Sequence, residues 1–203
     1  MALAYSHVAG ANRGTERRWQ EIGVAALPRL LPGAHARQLN AALAGHPVFH
    51  PPLPGNDQQQ AANFAYFLSQ RLDRVAHLHF FLDRQGVDFA DDVAVDRWIV
   101  RSGRALLPTL RHDEALRTHE PLWAREFAGL NIVLDIAIAL GERAIRAGRG
   151  WRWEADAGAA GGCAVLTDGS RRIDIVAKVA DCCRDRERRG GGLKAVRAQL
   201  LAP

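Results

Sequence analysis

A chain of 203 residues, 48% hydrophobic and 24% charged, can bury one substantial core, which excludes disorder as its main state. Its net charge of +5 is uneven: residues 1–140 carry 14 basic and 14 acidic groups, and residues 141–203 carry 13 and 8. Arginine supplies 25 of the 27 basic side chains without interleaved aromatics or a recognisable nucleic-acid module, so a solvated basic face is favoured over nucleic-acid binding.

Residues 1–14 read as a loose N-terminal arm, with no basic start followed by a long apolar run, and therefore no signal peptide. Thr15 is a possible cap for a helix carrying Trp19, Ile22 and Ala26, which Pro28 ends or kinks. A second short helix, AHARQLNAALAG, stops at Gly45. The stretch His46 to Asn56 holds four prolines and a glycine, so it is a loop or extended segment. Asp57 with Gln60 resembles a capping box. The helix after it carries Phe64, Phe67, Leu68, Val75, Leu78 and Leu82 as an apolar stripe and stops at Gly86. A further helix runs from about Asp92 to Leu107, with Trp98 and Ile99 inward. Thr118 caps a long helical stretch through Pro121, Trp123 and Phe127, which Gly129 breaks into two pieces.

The pattern changes after Gly148-Arg-Gly150. Trp151-Arg-Trp153-Glu alternates as a half-buried strand does, placing both indoles on one face as a packing anchor. CAVLTDG is a second strand, joined to the first by a glycine-rich hairpin connection. IDIVAKVADCCRDRE returns to helical spacing with Asp174 as a possible cap, and Gly190-Gly-Gly192 precedes a last helix, LKAVRAQLL. The fold class is α+β: a mostly helical body with a small antiparallel sheet near residues 151–168. Residues 15–187 form one domain, and 188–203 a glycine hinge with a short C-terminal helix.

The segment from Gly129 to Ala155 poses the functional question. At 100 degrees per residue Asn131, Asp135, Ile138 and Glu142 fall on one narrow line of a helix apolar almost everywhere else. A carboxylate there must be paired or wet. One reading is structural pairing, with Arg101, Arg104 and Arg125 among the candidate partners. Another is a groove that meets a partner. The third is an acid/base pair or a hard-metal site made by Asp135 and Glu142; two helical turns separate them by roughly 10 Å, long for glycosidase-type chemistry, and a metal would need further oxygen ligands.

His79 and Asp83, like Asp73 and His77, are four apart on one helix face, as a local ion pair or an oriented base would be. The ordinary alternative is a set of surface or core-edge histidines. The chain has no His-Glu-x-x-His motif and no Gly-x-Ser-x-Gly elbow, and its glycine runs lack the lysine of a phosphate loop, so neither a metal nor a cofactor is expected. Cys163, Cys182 and Cys183 form no Cys-x-x-Cys pair, and reduced thiols fit a cytosolic protein. The run Ile132 to Leu140, broken by Asp135, is too short to span a bilayer.

From Leu140-Gly141-Glu142 through Trp151 or Trp153, CAVLTDG and IDIVAKVADCC, the order of elements over about residues 123–185 resembles small uncharacterised bacterial proteins found beside toxin or secretion genes. The resemblance implies a cytosolic binding partner, such as an immunity-type inhibitor or a secretion-system accessory that occludes another protein. It implies no catalytic residue. Asp88, Asp91, Asp92 and Asp96 form the densest acidic patch and, with Phe89, are the expected partner surface. The alternative function is a small hydrolase using Asn131, Asp135 and Glu142, or His79 with Asp83.

Overall fold

The computed structural model describes residues 38–39, 41–43, 45–47, 56–107, 128–159, 163–185 and 192–202. The expected arm 1–14, the helix capped by Thr15 with Trp19, and the stretch Thr118 to Phe127 with Pro121 and Trp123 lie outside the described residues. Of the short helix before Gly45, residues 38–39 and 41–43 are helical, and Leu39 and Leu43 are buried.

Helix α1 spans Asp57–Asp83. It holds no proline or glycine, and the side chain of Asn56 accepts from Gln59 N at 3.1 Å. The cap thus sits one residue earlier than the expected Asp57–Gln60 box. Asp57 lies in the first turn, where its charge suits the helix dipole. The chain leaves α1 through Gly86, whose φ of 68° is a left-handed conformation that favours glycine. Helix α2 spans Asp92–Leu106, and its N-cap Asp91 accepts from Val93 N at 2.9 Å and Ala94 N at 3.1 Å. Trp98 and Ile99 point inward, as expected.

Helix α3, Ala128–Arg146, is the centre of the molecule. Every residue from Gly129 to Glu142 is buried. Gly129 does not break the helix. It lies in the first turn and allows close approach: a Cβ there would stand 2.6 Å from Leu106 O. Strands β1 (Arg152–Ala155), β2 (Ala164–Thr167) and β3 (Arg172–Ile173) then form an antiparallel sheet in the order β1-β2-β3. Trp153 is opposite Leu166, and Leu166 opposite Ile173. The α+β architecture is therefore as expected, with a third, two-residue strand added. Helix α4, Ile175–Arg184, starts at the expected cap, Asp174, which accepts from Ala177 N at 2.9 Å.

Helix α5, Gly192–Leu201, sends Leu193, Val196 and Leu200 into the same core as the rest of the chain. Helix α3 contacts α1, α2, α4 and α5.

The two indoles reach different helices. Trp151 precedes the strand, and its Nε1 donates to Leu200 O on α5 at 2.8 Å. Trp153 lies on β1 and crosses α3 above Gly141, where a Cβ would stand 2.6 Å from its Cη2. The sheet is thus anchored to two helices, α5 through Trp151 and α3 through Trp153. No helix among the described residues is long and apolar enough to cross a membrane.

Candidate functional site

The polar line of α3 faces a line of α1 built from Phe67, Arg71, Arg74 and Leu78. Their spacing of four, three and four residues keeps them on one side of a helix, so two arginines stand where an apolar stripe would otherwise run on.

Arg74 Nε donates to Asp135 Oδ1 at 2.6 Å, and its Nη2 donates to Asn131 Oδ1 at 3.3 Å. The second carboxylate oxygen of Asp135 lies 2.8 Å from His46 Nε2. An ionised carboxylate only accepts, so in this contact His46 donates through Nε2. The His46 ring packs edge-on to Phe81 at 5.5 Å between centroids. Both members of the pair are sealed: the His46 side chain is 1% exposed and that of Asp135 0%.

Glu142 belongs to a separate cluster. Its Oε1 accepts from Arg71 Nε at 3.0 Å and from Trp153 Nε1 at 2.8 Å. Arg71 Nη1 also donates to Leu68 O. Asn131 and Asp135 are thus brought together, while Glu142 is held two turns away, roughly 10 Å along the axis. The partners come from α1 and from the turn at His46. Arg101 is exposed, and the Arg104 and Arg125 side chains lie outside those described.

The other candidates are more dispersed. His79 and Asp83 are both exposed and make no ion pair with each other, and His79 lies 5.1 Å from the Phe89 ring. Asp73 and His77 are also exposed.

In the acidic stretch Phe89 is a core residue, 4% exposed. Asp88 accepts from Ala90 N at 2.8 Å, and Asp91 caps α2. Asp92 takes Arg143 and Arg197, and Asp96 accepts from Leu193 N at 3.1 Å. Asp88 and Asp91 stay exposed, whereas Asp92 and Asp96 are half-buried beside α5.

Burial pushes the Cys163 thiol up to about 12, with Arg74 pulling the other way. Burial, then the charges of Asp96, Asp181 and Asp185, raises Cys182 to about 11. Burial raises Cys183 as well. A nucleophilic thiol needs the opposite shift, so the described cysteines are poorly suited to attack. Among the described residues no three His, Cys, Asp or Glu side chains converge as a metal-ligand set.

His46 is the site residue that the sequence reading passed over. Its only local signal is its position, directly after the helix stop at Gly45 and at the head of a proline-rich loop. Eighty-nine residues separate it from Asp135, so no local periodicity joins them. In comparisons with protein-family models, curated proteins and solved structures, none matched this chain.

Proposed function

We propose that this chain is a small hydrolase in which His46 is the general base and Asp135 fixes its tautomer. The reading is carried by the 2.8 Å contact between His46 Nε2 and Asp135 Oδ2. With Nε2–H committed to the carboxylate, Nδ1 is the basic atom. It would take a proton from water as the water oxygen attacks an ester-type centre, and return that proton to the leaving group. Arg74 and Asn131 act as positioning residues, Arg74 by holding Oδ1 of Asp135. Since the His46 side chain is 1% exposed, the reading needs an opening that lets water and substrate reach Nδ1 while the Nε2–Asp135 bond stays made. A cytosolic setting fits the unpaired thiols of Cys163, Cys182 and Cys183.

The test is release of p-nitrophenol from p-nitrophenyl acetate and p-nitrophenyl phosphate by the full chain and by His46→Gln, with folding checked by circular dichroism. General-base loss predicts a fall of about 100-fold or more. Equal rates in the two proteins overturn the reading.

A second reading, a protein-binding module of the immunity or secretion-accessory type, is favoured by one observation. Val93 and Val100, seven residues apart on α2, are 56% and 38% exposed, close in sequence to exposed Asp88 and Asp91. It predicts that a partner retained from native cytosol by the wild-type chain is lost with Val93→Glu/Val100→Glu. Retention by both counts against it.

A further inference from the structure

A cavity of about 260 Å³ lies between α2, α3 and α5, and neither His46 nor Asp135 lines it. Its polar wall is Arg143, Arg197 and Asp92, and its apolar wall includes Leu140, Ala144 and Leu200. Both arginines send Nη1 to the same atom, Asp92 Oδ1, at 3.1 Å each. The rest of their donor capacity is unused. Arg197 Nε and Nη2 are buried with no hydrogen-bond partner, although the residue is only 8% exposed. Its one further contact is a long one, Nη1 to Asp92 O at 3.5 Å. Arg143, whose side chain is 42% exposed, makes no bond through Nε or Nη2 among the described residues. The wall is therefore rich in donors and poor in acceptors, a combination that is costly when buried.

We propose that this cavity binds a small carboxylate with a short aliphatic tail. The planar fork of a guanidinium takes a carboxylate by two parallel hydrogen bonds, and the apolar wall suits a tail that a small inorganic anion lacks. The ligand's carboxylate meets the open edge of Arg143, and Arg197 turns its unused Nε and Nη2 towards it. Asp92 is the resident competitor, since its single oxygen already sits between the two arginines. The tail lies on Leu140, Ala144 and Leu200. The size fits: a cavity of ~150 Å³ takes a benzene-sized ligand, and pockets for drug-sized molecules begin near ~300 Å³.

Burial holds Arg197 below its usual basicity, with Asp92 and Asp96 acting against burial and Arg143 acting with it. An incoming anion would relieve that position. The nearest α3 residue of the lining, Leu140, is five residues from Asp135, roughly 7 Å along the axis, and the described hydrogen bonds of Asp135 go to His46 and Arg74 rather than to the cavity wall, so the site stands independently of the hydrolase reading.

The experiment is calorimetric titration of the full chain with hexanoate, 1-hexanol and hexylamine. Hexanoate is expected to bind saturably, with hexanol and hexylamine at least about tenfold weaker. Arg143→Gln and Arg197→Met should each weaken hexanoate by about tenfold, and Asp92→Asn should tighten it. Arg197→Met keeps the aliphatic stem while removing a buried charge. If it fails to fold by circular dichroism, Arg143→Gln decides alone, because that side chain is largely solvated. No saturable heat with hexanoate, equal affinity for hexanol, or unchanged binding by Arg143→Gln overturns the proposal.

Discussion

Replacing Arg74 with Met tests what holds the centre of the molecule together. The substitution keeps the buried stem of a residue that is 4% exposed and removes only its guanidinium. Asp135, 0% exposed, then keeps His46 as its one remaining hydrogen-bond partner among the described residues, and Asn131 loses the donor 3.3 Å from its Oδ1. Breaking a buried ion pair from one side costs about 3–5 kcal/mol, because a charge is left in a dry interior without its counterpart. For a chain of 203 residues that corresponds to a fall in Tm of roughly 6–20 °C. Removing both charges, in Arg74→Met/Asp135→Asn, should restore most of the loss, giving a coupling of about 2 kcal/mol or more. An internal control is Arg172, whose pair with Asp156 at 2.8 Å is solvated, with side chains 53% and 29% exposed. Arg172→Ala should cost less than about 1 kcal/mol. Urea unfolding at pH 7, followed by the fluorescence of the chain's five tryptophans, measures wild type, Arg74→Met, Asp135→Asn, the double variant and Arg172→Ala. An Arg74→Met midpoint indistinguishable from wild type would refute the claim that the guanidinium neutralises Asp135. A double variant no better than the worse single would refute the coupling.

Three further outcomes are expected. Gly141→Ala puts a methyl group 2.6 Å from Trp153 Cη2 and 2.9 Å from Leu166 Cδ1, so the indole must withdraw from Glu142. Overpacking of this kind costs about 1–3 kcal/mol, visible as a lower urea midpoint, and an unchanged midpoint would show that β1 shifts freely. The backbone N–H of Arg171 above all, then its guanidinium and Ser170, hold the Asp168 carboxyl well below the usual carboxylate range, against a smaller opposing effect of desolvation. A depressed folded pKa contributes stability above the unfolded value and loses it as pH falls. Asp168→Asn should therefore be less stable than wild type at pH 7, with the gap starting to narrow below about pH 4 and closing only at much lower pH; a gap that does not narrow at all between about pH 5 and pH 2 contradicts the linkage. With its thiol raised to about 11, Cys182 should alkylate with iodoacetamide at pH 7.5 roughly 100-fold more slowly in the native chain than in urea, as mass spectrometry of the peptide would report. Equal rates would mean that the thiol is open to solvent.

What the sequence discloses divides by distance along the chain. The helical body, the hairpin at residues 151–168 and the cap at Asp174 are local patterns, and each is where periodicity and turn chemistry place it. Strand β3 has two residues, too few to show alternation, and it exists because Leu166 offers Ile173 a partner across the turn. Alternation marked Trp151 and Trp153 as a packing pair, but not that the strand begins between them, at Arg152, or that Trp151 bonds α5 while Trp153 meets α3. The polar line on α3 was legible as a demand for donors. Its suppliers were not, since Arg71, Arg74 and His46 lie 71, 61 and 89 residues from the groups they bond.

One signal for them was nevertheless present. Phe67, Arg71, Arg74 and Leu78 continue one helical stripe, and arginine on a stripe that is otherwise apolar needs an acidic group on whatever packs against it. Two helices each carry charges wrong for a core, Arg71 and Arg74 on α1 and Asp135 and Glu142 on α3, and the pairs Arg74–Asp135 and Arg71–Glu142 tie one helix's register to the other's. A slip of one turn between α1 and α3 would bring Leu78 opposite Asp135 in one direction, and in the other would bring Arg71 to Asp135 at the cost of Glu142's guanidinium, so either slip leaves a carboxylate without its counter-charge, a cost that favours the observed packing even where a hydrophobic replacement would be no less stable.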